Sequence, residues 1–96
     1  MEDHDTRLKR LRMRSWRRGT REMDLILGPF ADEALGALGA AELDAYEAVL
    51  DENDQDLYPW VTARLRGGVA GPEQHAAILA RIASHAADRL REIRGA

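Results

Sequence analysis

The stretch that decides the fold is residues 41–52, which read AELDAYEAVLDE. Apolar side chains recur at Leu43, Tyr46, Val49 and Leu50, in steps of one to three residues that match helical spacing. This spacing puts them on one face of an α-helix and leaves five acidic side chains on the opposite face. The pattern predicts an amphipathic helix with one buried side.

Downstream of this helix, the sequence predicts two more. Asp54 or Asp56 can be the N-cap of a short helix, and Asp56 is favoured because Pro59 would then lie in the first turn, where proline is tolerated. That helix ends at Gly67-Gly68, and a long last helix runs from Pro72 to residue 94. The short helix carries apolar residues at helical spacing that are expected in the core: Leu57, Tyr58, Trp60, Val61 and Leu65.

Upstream, the chain predicts two helical segments separated by a glycine. Residues 5–17 favour a helix, and residues 1–6 are expected to form a flexible N-terminal tail. Thr20 is a plausible N-cap for the second helix, whose first turn is acidic. Since a residue that precedes proline disfavours helical geometry, Pro29 predicts a bend or break in this second helix.

Length and composition agree with one small helical domain. The chain has 96 residues, of which 45% are hydrophobic and 32% are charged, as is typical of a globular protein. Five helical segments, short loops and no convincing strand predict an all-α fold, a compact bundle of about five short helices in a single domain over residues 1–96.

The sequence also limits the compartment and the chemistry. The acidic N-terminus lacks the features of a secretory signal or transit peptide, and no run of 18 apolar residues exists. We therefore expect a cytoplasmic chain without membrane insertion. The absence of cysteine excludes disulfides and thiol nucleophiles.

No constellation of side chains points to catalysis or to a metal site. The three histidines are His4, His75 and His85, and the last two lie ten residues apart on one predicted helix. That separation is about 15 Å along the helix axis, so the two cannot share a metal ion. We expect these histidines to be exposed or partly packed, and the protein not to be an enzyme.

Basic and acidic residues are segregated along the chain. Residues 1–22 carry eight Lys and Arg against four acids, whereas residues 23–63 carry ten acids and no Lys or Arg. This segregation predicts surfaces of opposite sign that steer a partner. Because Trp16 lies among the N-terminal arginines, one alternative is a small nucleic-acid-binding or antitoxin-like regulatory protein that uses this basic third.

The most informative segment is residues 16–25, which read WRRGTREMDL. Gly19 separates the basic helix from the acidic one, and glycine lets another backbone approach closely. Arg18 and Glu22 are four residues apart, so they can pair with each other or offer both signs of charge to a partner. Physical reasoning alone leaves open a plain helix break with a surface ion pair.

This segment resembles a known family, the FAD assembly factors of succinate dehydrogenase, often called SdhE. The family carries an R-G-x-x-E motif, which corresponds to residues 18–22. The resemblance includes Pro29-Phe30 and residues 56–60, which are similar to the family's D-L-aromatic-x-W segment. This ordered set of matches spans residues 14–65. Neither the first ten residues nor the segment after Gly67 can be aligned in detail.

The resemblance implies a five-helix bundle that binds the flavoprotein subunit of succinate dehydrogenase and, in some bacteria, of fumarate reductase. Such factors promote covalent attachment of FAD to a histidine of that client, so the flavin and its chemistry belong to the client. The resemblance puts Arg18, Gly19 and Glu22 at the client interface, and charge adds Arg17 and Arg21. We expect a monomer with no metal, no cofactor of its own and no nucleic-acid partner.

Overall fold

The structure is a computed structural model, and it describes residues 1–95. This part of the chain contains five α-helices. They are α1 (His4–Trp16), α2 (Arg21–Ala34), α3 (Ala40–Leu50), α4 (Asp54–Leu65) and α5 (Ala76–Gly95). Two short 3₁₀ helices, Leu35–Ala37 and Glu73–His75, precede α3 and α5, and residues 1–95 contain no strand. The predicted all-α bundle of five helices is confirmed.

The first helix begins earlier than the sequence suggested. Asp3 is the N-cap of α1, and its Oδ1 accepts a hydrogen bond from the Thr6 backbone N–H at 2.7 Å. Glu2 also pairs with Arg10, at 2.7 Å. These two interactions explain why residues 4–6 lie in α1, although the sequence predicted a flexible tail over residues 1–6.

The second helix passes through its proline without interruption. α2 continues from Arg21 to Ala34 with Pro29 inside it, so of the predicted bend or break at this position the break is wrong. Phe30 and Ala31 are buried on the same helix as Met23 and Leu27. Packing of this apolar face outweighs the helical hydrogen bond that proline cannot donate.

The fourth helix also contains a proline in its interior. The predicted N-cap Asp56 is wrong, because Asn53 is the N-cap and Asp54 is the first helical residue. Pro59 therefore lies beyond the first turn. Asp54 is held in place by a side chain from another part of the molecule, Arg18, which fixes the start of α4 three residues earlier than local signals indicate.

One hydrophobic core joins all five helices. Leu11, Phe30, Tyr46, Leu57 and Ile82 contribute from α1 to α5 in turn, and each is at most 1% exposed. The core prediction fails for one residue of α4. Tyr58 is 41% exposed, because it follows Leu57 directly and so points away from the face that Leu57 and Val61 share.

The segregated charges meet where neighbouring helices pack against each other. Three arginines of α1 and one that follows it pair with acids 36 or 37 residues further along the chain: Arg7–Asp44 at 2.7 Å, Arg10–Glu47 at 2.9 Å, Arg14–Asp51 at 2.9 Å and Arg18–Asp54 at 2.8 Å. Each of these three arginines of α1 is 37 residues before its partner, so the partners advance along the chain together. α1 and α3 therefore run in the same direction. Half of the eight basic residues in residues 1–22 thus pair with acids of the middle segment, in an interface between neighbouring helices.

Candidate partner-binding site

The R-G-x-x-E segment forms the corner between α1 and α2. Arg17 ends α1, and its backbone N–H donates to the Arg14 carbonyl at 3.3 Å. Gly19 then adopts a φ of +96°, which residues with a side chain rarely adopt. Thr20 caps α2 as predicted, with its hydroxyl oxygen accepting the Met23 N–H at 3.4 Å. The glycine therefore has a conformational reason to stand here.

The Arg18 side chain turns inward at this corner. Its Nε donates to Asp54 Oδ1 at 2.9 Å, its Nη1 to the Leu50 carbonyl at 2.6 Å, and its Nη2 to the Glu52 carbonyl at 2.7 Å. Thr20 adds a hydrogen bond from its hydroxyl to Asp54 Oδ2 at 3.1 Å. We call Arg18, Leu50, Glu52 and Asp54 the Arg18 cluster. It joins the α1–α2 corner to the α3–α4 turn.

This cluster gives Arg18 a role inside the fold. Only 9% of its side chain is exposed, and only 13% of that of Asp54. All three guanidinium nitrogens donate to the chain's own oxygens. One acceptor is the Leu50 carbonyl at the C-terminal end of α3, where helices need donors, and another is the Glu52 carbonyl of the following turn. The structure pairs Arg18 with Asp54 and not with Glu22. That Arg18 contacts a client stays a prediction.

The other predicted site residues lie on the outside of the same corner. Arg17, Gly19, Arg21 and Glu22 are all exposed, and we call them the exposed motif residues. A Cβ atom at Gly19 would meet no heavy atom of the described residues within 4 Å, so the glycine faces open space. Glu22 lies in the first turn of α2. The corner thus presents charges of both signs around a bare backbone.

Two features of this corner were missed from the sequence. Asp54 was considered only as a local helix cap, since its ion pair with a residue 36 positions away leaves no local signal. Tyr58 was assigned to the core, although it lines the same surface depression as Glu22. Its position one residue after Leu57, off the apolar face of α4, is a signal that could have identified it.

The histidines do not form a site with the other ionisable groups. His75 is 5% exposed, more buried than predicted, and its Nε2 lies 3.0 Å from Glu52 Oε2. The His85 Nε2 lies 2.7 Å from Glu33, and this hydrogen bond lowers the pKa of the Glu33 carboxyl. Within residues 1–95, no group of three potential ligands could hold a metal ion. None of the helices described there has the length and apolar character needed to cross a bilayer.

Comparison with known proteins identifies the family. Residues 9–86 match the model of a family described as flavinator of succinate dehydrogenase. Mitochondrial succinate dehydrogenase assembly factor 2 of Mycosarcoma maydis is 43% identical over 63 residues, which is 66% of this chain and 26% of that protein. The same factor of Meyerozyma guilliermondii is 43% identical over 61 residues, which is 64% of this chain and 45% of that protein.

The match covers only part of these relatives. The chain spans about a quarter of the length of the Mycosarcoma maydis protein and less than half of the Meyerozyma guilliermondii protein. No solved structure matches the chain.

Proposed function

Since this chain belongs to the family of succinate dehydrogenase flavinators, we propose that it binds the flavoprotein subunit of that enzyme and promotes covalent attachment of FAD. The observation that carries the proposal is the corner at residues 17–22, where exposed charges surround a glycine that faces open space. A partner's backbone can approach closest where no side chain intervenes. The exposed motif residues are therefore the proposed contact surface.

The Arg18 cluster supports this surface by holding it in one shape. A binding surface that is ordered before the partner arrives loses less entropy on association. Gly19 admits the partner's backbone, while Glu22, Arg17 and Arg21 make charge-assisted hydrogen bonds to it. Arg18 lies beneath this surface and stabilises it through its ion pair with Asp54.

The bond between flavin and histidine forms in the client under this proposal. This chain orders the client's domains around FAD and binds no cofactor or metal stably by itself. It acts as a non-enzymatic monomer, and fumarate reductase is a second client in bacteria. We propose the cytoplasm as its compartment, although the related fungal proteins named above are mitochondrial.

Nucleic-acid binding is a weaker alternative. Half of the eight basic residues in the N-terminal third bind acids of the chain itself: Arg7, Arg10, Arg14 and Arg18. Guanidinium groups in such pairs are less available to phosphate. No observation favours an antitoxin-like role.

The proposal is tested by covalent flavin on the flavoprotein subunit, read as in-gel fluorescence of denatured protein. Cells without the chain should lose the signal, and cells with Glu22→Ala should recover much less than cells with the unaltered chain. Glu73→Ala removes another exposed glutamate outside the corner and should restore the signal fully. Full fluorescence in cells without the chain would show that the proposal is wrong.

Two substitutions at Gly19 separate the effect of a large side chain on client binding from the effect of backbone strain. Both Gly19→Ala and Gly19→Arg force a side chain to a φ of +96°, at a cost of roughly 1–2 kcal/mol. Only arginine fills the open space in front of the corner. We expect the alanine variant to capture the flavoprotein in pull-downs and the arginine variant to fail, with both still folded.

A further inference from the structure

An apolar groove lies between α2, α4 and α5, on the side of the molecule next to Glu22. Its apolar lining comes from Leu25, Ile26, Tyr58, Leu65, Leu90 and Ile93, and its volume is about 370 Å³. Four of these side chains are between 41% and 69% exposed, although the bundle has a well-filled core elsewhere. Exposed apolar residues that cluster in one groove are typical of a binding surface.

This groove is continuous with the proposed contact surface. Glu22 and Tyr58 line both the groove and a neighbouring depression, so the two concavities meet at these residues. Thr20 and Asp54 line that depression and also the polar one that contains Gly19. A partner seated on the motif corner can therefore extend into the apolar groove without leaving the surface.

The walls of the groove determine what kind of segment fits. All three walls are helices, whose backbone groups are already hydrogen-bonded within each helix, so they offer no free edge for an added strand. The other polar side chains of the lining already have partners, since the Thr62 hydroxyl donates to the Tyr58 carbonyl and Arg89 donates to Glu33. An incoming backbone therefore finds few partners in the groove and must satisfy most of its own hydrogen bonds. A helix does this. On α5 the lining runs from Ala86 to Ile93, which is about 10 Å or two turns.

Charge indicates how such a helix is oriented. Glu22 contributes a carboxylate at the end of the groove nearest the motif corner. A basic side chain, or the positive N-terminal end of a helix, is attracted to a carboxylate at this position.

We propose that the groove receives a two-turn amphipathic helix of the client flavoprotein, with its apolar face on Leu25, Tyr58 and Leu90 and a basic group against Glu22. This inference rests on the proposed function, because it takes its partner from there. It adds a second, apolar contact area to the charged corner.

The first test compares two aspartate substitutions at equally exposed positions. Leu25 in the groove is 53% exposed and Met13 on α1 is 52% exposed, so neither change should unfold the protein. Thermal unfolding of each variant checks this. Leu25→Asp should weaken binding to the purified flavoprotein subunit about tenfold or more, and Met13→Asp should leave it unchanged. Equal binding by the two variants overturns the inference.

The second test identifies the occupant. A photo-crosslinking amino acid at Leu90, irradiated in the complex, should attach to a client helix with apolar residues three or four apart and a basic residue within one turn. Attachment to a second copy of this chain, to FAD or to an extended client segment overturns the proposed occupant.

These results are distinguishable from failure of the proposed function. If the unaltered chain fails to bind the flavoprotein subunit, the proposed function itself is wrong, and so is the inference that depends on it. If the unaltered chain binds and Glu22→Ala weakens binding while Leu25→Asp does not, the corner is the interface and the groove is not part of it.

Discussion

Replacing Arg18 with alanine is expected to destabilise the bundle by about 3 kcal/mol. The side chain is only 9% exposed, and its removal leaves the Asp54 carboxylate, 13% exposed, without its cation. The Leu50 carbonyl at the end of α3 and the Glu52 carbonyl of the following turn lose a donor as well. Deleting one partner of a buried ion pair costs about 3–5 kcal/mol, and the residual exposure of this pair favours the lower end.

Thermal and urea unfolding measure this loss. For a domain of this size, about 3 kcal/mol corresponds to a fall in Tm of roughly 12–24 °C. Arg17→Ala is the matched control, because Arg17 is adjacent, exposed and equally charged, and it should change stability by about 0.5 kcal/mol or less. Arg18→Lys should fall between the two, since one ammonium cannot reach all three acceptors.

A double-mutant cycle isolates the ion pair itself. The free energies of unfolding of Arg18→Ala, Asp54→Asn and the double variant should give a coupling energy of about 1 kcal/mol or more. If Arg18→Ala unfolds at the same temperature as Arg17→Ala, the cluster carries no stability and the reasoning is refuted. Any loss of client flavinylation caused by Arg18→Ala would then have to come from a lost contact between Arg18 and the client.

Three further predictions concern other contacts of the bundle. Burial raises the pKa of Tyr46 from 10 to about 12, so the stability that its neutral hydroxyl contributes is fully present below pH 10 and is lost as the pH rises to about 12. Urea unfolding should show this loss, of roughly 2–3 kcal/mol in the free energy of unfolding, in the unaltered protein and not in Tyr46→Phe. The hydrogen bonds from Arg10 lower the pKa of Glu47, so the stability that the ionised Glu47 contributes is present above the ordinary glutamate pKa and is lost as the pH falls through the lowered pKa. Glu47→Gln should therefore flatten the dependence of Tm on pH in that acid range. A Cβ atom at Gly28 would lie 2.4 Å from the Trp16 ring, so Gly28→Ala should lower Tm, and adding Trp16→Leu should recover part of the loss.

Helical periodicity predicted the fold because most of its information is local. The spacing of Leu43, Tyr46 and Val49 identified α3, and all three are buried. The two errors at prolines share one cause. In each case a contact with a distant part of the chain outweighs a local preference: packing of the apolar face carries α2 through Pro29, and the ion pair with Arg18 fixes the start of α4 ahead of Pro59. No neighbouring residue in the sequence signals that outcome.

The site was predicted in part for the same reason. The motif itself is contiguous, so its residues could be named, but the burial of Arg18 depends on an acid 36 positions away. One signal was present and unused. Arginines at 7, 10 and 14 and acids at 44, 47 and 51 repeat with the same steps of three and four residues, as parallel paired helices require.

The paired register of α1 and α3 explains why the motif corner is electrostatically distinct. The arginines of α1 that face α3 are neutralised by its acids, whereas Arg17 and Arg21 follow the end of this interface and are exposed. Arg17 and Arg21 therefore place positive charge on either side of Gly19, beside the carboxylate of Glu22. A partner steered by charge meets this corner, and the Arg18 cluster beneath it keeps the backbone in the shape that the glycine makes accessible.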